Sequence, residues 1–149
     1  MKIGIAADHR GYKTKEQIKD YFKNKYEIID YGTDSEERVD YPIYGIKLGE
    51  KVRDKEVEYG IAICGSAIGI SIACNKVKGI RCGKVNSVEE ALHAKENDLV
   101  NIIALSGENV SIEENMKIVD AYLHAKENTE DERYIARVNQ IKEYENNEC

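Results

Sequence analysis

The 149-residue sequence contains no apolar run long enough to cross a membrane; a spanning helix needs roughly 18 or more such residues. Its opening, MKIGIAADHR, lacks the apolar core and small-residue cleavage site of a secretory signal. Both absences point to a cytoplasmic protein with no membrane partner. No C-x-x-C pair occurs among the four cysteines, Cys64, Cys74, Cys82 and Cys149, and their spacings match no zinc site. Free thiols are the expectation in a reducing compartment. Positive charge is in deficit. A formal net charge of −6 argues against broad binding to nucleic acid or acidic membranes. Any phosphate-bearing ligand has to be met by local basic residues. Internal repeats and linkers are absent as well.

What is present is the composition of a folded domain, since 42% hydrophobic and 34% charged residues exclude a disordered chain. The length fits a single domain over 1–149 with a sizeable core. Apolar runs predict strands over 2–7, 26–31, 59–64, 80–85 and 101–105. Most are too continuously apolar to be half exposed, which suits parallel strands covered on both faces. Between them, Ile18, Tyr21 and Phe22 fall at helical spacing, as do Tyr44, Leu48 and Val52. Ser87 with Glu90 and Ser111 with Glu114 form capping boxes, and Ile112, Met116, Val119 and Leu123 continue the second as a core-facing stripe. The alternation predicts a doubly wound α/β fold around five parallel strands. A last helix over about 130–145 carries Tyr134, Val138 and Ile141, with no strand after it. Its stripe fits a second subunit as well as its own domain.

Open α/β sheets bind ligands beyond the carboxyl ends of their strands. That rule selects Asp8 and His9 after the first strand, the loop that follows Cys64 after the third, and Ser106–Asn109 after the fifth. The loop from Gly65 to Gly69 leads into a helix, whose free N–H groups and dipole favour an anion and also favour thiolate over thiol. The plain alternative for Cys64 is a buried cysteine on a tight turn. Spacing removes several rivals. Neither G-x-x-x-x-G-K-[ST] nor G-x-G-x-x-G occurs. The position where a cysteine phosphatase needs its arginine is Ile70, and a receiver domain would have aspartate where Cys64 stands. What remains is a thiolate base beside an oxyanion-stabilising loop, suited to proton abstraction next to a carbonyl. Ser66 is placed to hydrogen-bond the sulfur or the substrate.

Asp8 and His9 are either structural or proton-moving residues at the same sheet edge. Arg133 and Arg137 share a helix face at i, i+4 and form either a phosphate clamp or a solvated surface beside Glu130, Asp131 and Glu132. Arg81 reads as a strand or interface residue, and His93 and His124 as surface or packing residues.

The segments AADHRGYKTK, IIDYGT, DYP, ICGSAIGISIACNKVKGIR and ERYIARV, in that order, resemble the type B ribose-5-phosphate and galactose-6-phosphate isomerase family. The resemblance runs from Met1 to about Ile141. It implies a Rossmann-like α/β/α sandwich with an extra C-terminal helix. It also implies a homodimer or tetramer with active sites shared between subunits, a phosphorylated sugar as substrate, and no metal or cofactor. By position, Cys64 would move a proton between C1 and C2, with Ser66 where threonine is usual. Gly65, Ala67, Ile68, Gly69, Ile70 and Ser71 would hold the enediolate. Asp8 and His9 would assist ring opening, Tyr41 would line the sugar pocket, and Arg133 and Arg137 would bind phosphate. Two departures stand out. The family's ribose enzymes carry a ring-opening histidine before the fifth strand, where this chain reads AKENDLVN, with Asn97 or Glu96 at that position and Asp98 beside it. A phosphate-binding arginine after the fifth strand is replaced by Glu108 or Asn109. The first departure resembles the B subunit of galactose-6-phosphate isomerase, while Arg133 and Arg137 resemble the ribose enzymes. The implied activity is aldose–ketose isomerisation, most simply of ribose 5-phosphate. A galactose-6-phosphate isomerase subunit and a catalytically impaired sugar-phosphate-binding relative are the alternatives.

Overall fold

The computed structural model describes residues 1–148, so Cys149 lies outside the described residues. Five strands form one sheet: β1 (Lys2–Ala7), β2 (Glu27–Asp30), β3 (Tyr59–Cys64), β4 (Cys82–Lys84) and β5 (Ile102–Ser106). All pairings are parallel, in the order β2-β1-β3-β5-β4. Each strand is followed by a helix: α1 (Tyr12–Phe22), α2 (Tyr41–Arg53), α3 (Ile68–Asn75), α4 (Val88–Asp98) and α5 (Ile112–His124). A sixth, α6 (Glu132–Glu148), ends the chain. This is the expected doubly wound architecture. No described helix is long and apolar enough to cross a membrane.

The two faces of the sheet differ in side-chain size. Ile3, Ile5, Ile61, Ile63, Ile103 and Leu105 point toward α1, α4 and α5 and pack on Ile18, Phe22, Ile118 and Tyr122. The opposite face carries Ala6, Ala62 and Ala104, over which α2 and α3 lay Leu48, Val52, Ile70 and Cys74. Small residues allow those two helices to come close. A Cβ on Gly4 would stand 2.8 Å from Leu48 Cδ1, and one on Gly45 2.9 Å from Ala73 Cβ. Cys64 belongs to this tighter side.

Both capping boxes form: the Ser87 and Ser111 hydroxyls each accept an N–H, from Glu90 and Glu114, at 3.1 Å. Strand ends shift relative to expectation. β4 is three residues long because the Ile80 N–H turns back to Val77 O at 3.1 Å and the Arg81 N–H to Asn101 Oδ1 at 2.8 Å. Tyr26 is held by Phe22 O at 3.1 Å and closes the α1 turn, so β2 begins one residue later. β5 extends to Ser106, which pairs with Cys64.

Helix α1 leaves β1 toward one face and α3 leaves the adjacent β3 toward the other. The chain therefore opens a crevice at the carboxyl ends of β1 and β3, the switch point where such sheets bind ligands.

Candidate active site

Cys64 is the last residue of β3 and is only 4% exposed. The turn after it is clamped by the loop after β5. Gly107 N–H donates to Cys64 O at 2.8 Å, Glu108 N–H to Gly65 O at 3.1 Å, and the Ser106 hydroxyl to Gly65 O at 2.6 Å. Ala67, at φ 70°, ψ −14°, takes the left-handed conformation that non-glycine residues seldom adopt, and so reverses the chain into α3. Ser66 Oγ accepts the Ile68 N–H at 3.2 Å, leaving its own proton free to donate. The Ser71 hydroxyl is spent inside the helix, on Ile68 O at 2.7 Å. The N–H groups of Gly69 and Ile70 lie in the first turn, where no helical carbonyl can reach them.

Asp8 and His9 approach from β1. Asp8 is buried, and its Oδ1 accepts the N–H groups of Arg10 at 2.9 Å and Gly11 at 3.1 Å, which starts α1. Burial raises its carboxyl above the ordinary aspartate value, opposed by those two N–H bonds. His9 Nδ1 lies 3.1 Å from Val39 O and 3.2 Å from Val39 N. Either tautomer thus finds a backbone partner, and Nε2 is left for a ligand in both.

These groups meet around one cavity of about 350 Å3, whose wall includes Asp8, His9, Tyr41, Cys64, Ser66 and Gly69. Gly65 lines it too. Tyr41 opens α2 and its ring lies against Gly69, where an added Cβ would be 2.6 Å from the ring. Ala67 and Ile70 are buried behind the loop, and Ile68 faces outward, 53% exposed. Five lining residues lie outside the set expected from sequence: Arg10, Arg38, Val39, Asp40 and Glu108. Arg10 had a signal, since it directly follows Asp8 and His9. Asp40 opens the DYP segment, whereas Arg38 and Val39 had no signal, because they sit in an irregular stretch between β2 and α2.

Asn97, Asp98, Arg133 and Arg137 do not line this cavity. Asn97 lies at the end of α4, on a groove of about 730 Å3 shared with the segment that leads to α6. The Asn128 N–H donates to Glu96 O at 3.1 Å, and Asn128 Oδ1 accepts the Asp131 N–H at 3.1 Å, pinning the start of α6 to α4. Arg133 pairs with Asp131 at 2.8 Å, which holds that carboxyl down at about 2. His93 Nδ1 stands 2.9 Å from Asn97 Nδ2. Arg81 caps α4, giving Leu99 O two bonds at 3.0 and 2.8 Å. Among the described residues, no group of three or more His, Cys, Asp or Glu side chains is arranged to hold a metal ion.

The family model described as Ribose/Galactose Isomerase matches residues 3–141. The chain belongs to that family. Its fold superposes on the ribose-5-phosphate isomerase B of Clostridium thermocellum with a TM-score of 0.96, at 42% identity over 100% of both chains. The Mycoplasma genitalium ribose-5-phosphate isomerase B, solved with bound ribulose-5-phosphate, gives a TM-score of 0.92 at 34% identity, covering 97% of this chain and 96% of that one. The galactose-6-phosphate isomerase subunit LacB of Clostridium acetobutylicum is 40% identical over 85% of this chain and 73% of its own length. The protein is thus a sugar-phosphate isomerase with a Rossmann-like fold.

Proposed function

We propose that the protein interconverts ribose 5-phosphate and ribulose 5-phosphate, with Cys64 as the group that carries the proton. The observation that supports this most is the convergence of Cys64, His9 and Ser66 on one cavity at the switch point. In the open-chain aldose, the Cys64 thiolate takes the proton from C2 and the electron pair moves onto O1, giving an enediolate, within which the O2 proton passes to O1. The same sulfur then returns its proton to C1 as the charge on O2 collapses to the C2 carbonyl, leaving the ketose and the thiolate. The free N–H groups of the α3 first turn stabilise the charge on oxygen, and Ser66 donates its hydroxyl proton to it. His9, through Nε2, and Asp8 exchange protons with the ring oxygen and the adjacent hydroxyl during ring opening.

We further propose that a second copy of the chain completes the site. Ile43, Ile68 and Ile72 are more than half exposed beside the cavity on α2 and α3, an apolar surface that a partner would cover. The groove at the end of α4 holds Asn97, with Asp98 next in the chain and Arg133 and Arg137 on the α6 turn pinned beside it. In the assembled protein these residues face the substrate from the partner, the arginines holding its phosphate. His93, in contact with Asn97, supplies an imidazole in place of the missing one.

Ketose formation by the purified protein, assayed against five- and six-carbon aldose phosphates, tests the reading. Cys64→Ala is expected to lower turnover by about a thousandfold or more with an unchanged circular dichroism spectrum. Undiminished turnover would remove the cysteine from the mechanism. The LacB relative favours a second reading, a subunit active on six-carbon substrates only with a different partner chain. Activity that appears only on co-expression with such a chain would select it.

A further inference from the structure

The ion pair between Arg10 and Glu108 takes no part in the proton transfers above. Arg10 lies on the loop after β1 and Glu108 on the loop after β5, with Arg10 Nε 3.3 Å from Glu108 Oε1. Both pack over the turn beside Cys64. A Cβ on Gly65 would stand 2.9 Å from Arg10 Cδ and 3.1 Å from Glu108 Cδ. Both residues also line two cavities. One is the cavity of about 350 Å3 that contains Cys64; the other, about 520 Å3, runs past His9 and Lys13 to the start of α5. The pair is therefore the partition between the two spaces.

The backbone on either side of this partition is fixed. Arg10 N–H is bonded to Asp8 Oδ1, and Glu108 N–H to Gly65 O. Only the two long side chains can move. Each is more than half exposed, and a pair so open to solvent is weakly held. A phosphate dianion offers the guanidinium a stronger partner, with more charge and a geometry that accepts two parallel N–H bonds.

We infer that Arg10 binds the phosphate of the substrate, and that Glu108 is its resting counter-ion, displaced as the sugar phosphate enters. This rests on the sugar-phosphate reading above and adds a ligand from the Cys64 side of the site. Glu108 acts through Arg10 as a positioning residue. It keeps the guanidinium at the partition when the site is empty and competes with phosphate for it, so that an uncharged sugar leaves the pair closed.

Titration of inorganic phosphate into the full-length protein, read by calorimetry, tests the inference without requiring turnover. Arg10→Met is expected to weaken phosphate about tenfold and to raise KM for ribose 5-phosphate in step, with a smaller change in kcat. Arg10→Lys, which keeps the charge and loses the fork, should fall between the two. Glu108→Gln is expected to bind phosphate several-fold more tightly. Phosphate affinity within about twofold of wild type in Arg10→Met, or weaker binding in Glu108→Gln, would overturn the assignment. The failure of the reaction is distinguishable. A protein that binds phosphate in this pattern and forms no ketose would refute the isomerase chemistry and leave Arg10 in place. Turnover with KM and phosphate affinity unaltered in Arg10→Met would refute Arg10 alone.

Discussion

Gly69 bears no side chain at the point where Tyr41 lies against it, 2.6 Å from where a Cβ would be. Tyr41 is partly exposed, so Gly69→Ala can push the ring outward without opening the core. The expected outcome is a several-fold rise in KM with a melting temperature within a few degrees of wild type, checked by kinetics and thermal denaturation. A large loss of stability would mean that the ring is wedged rather than resting. The candidate residues divide by how they announce themselves in the sequence. Cys64, Asp8 and His9 stand at strand ends and are legible from that alone. Glu108 was legible only as a charge out of place. Its pairing with Arg10 joins two loops about a hundred residues apart, and no spacing rule links them.

At the scale of the element, buried lysines govern how stability depends on pH. Lys95, on α4, is 2% exposed and donates to Tyr122 O at 2.8 Å, with the Tyr59 and Tyr122 rings 3.9 and 4.2 Å from its nitrogen. Burial depresses its pKa to about 8, opposed by Glu127 and Glu58. An unfolded lysine titrates near 10.4. Between those values the unfolded chain binds more protons, so this group makes stability rise with pH. Tyr31 and Tyr59 act oppositely. Burial pushes both up to about 12, and above pH of roughly 10 they stabilise the folded state less and less. Urea midpoints measured across this range should therefore rise above pH 8 and turn over near 10. Lys95→Met should abolish the rising limb. In acid the relevant element is β2. Burial alone would raise Asp30, but hydrogen bonds from Lys15 at 2.5 Å and Lys19 at 2.7 Å outweigh it and hold the carboxyl below its usual value. Its contribution is complete above about pH 4 and is lost as pH falls through the lowered pKa. Asp30→Asn should lower stability by about 2 kcal/mol at neutral pH and flatten the acid limb.

The whole molecule presents half of its candidate chemistry at one end of the sheet and the other half at the α4–α6 junction. If a partner's junction serves each Cys64 cavity, two inactive variants should rescue each other. Cys64→Ala mixed with Arg137→Ala, after subunit exchange, is expected to regain part of wild-type turnover, because one mixed site keeps both residues. Ile72→Glu should yield a folded monomer of low activity, read by sedimentation and assay. No recovery on mixing would show that each chain is catalytically self-contained.

The sequence by itself determined the order of the elements, the parallel doubly wound sheet and the cysteine at its switch point. Those follow from local hydrophobic period, capping residues and strand ends, which act over a few positions. Tertiary structure decided which polar groups share a space. It brought Arg10 and Glu108 together across Gly65, buried Lys95 among aromatic rings, and left Asn97, Arg133 and Arg137 away from Cys64. Those outcomes depend on where loops from different strands and helices converge, and that is settled only when the whole sheet has closed on its two layers of helix.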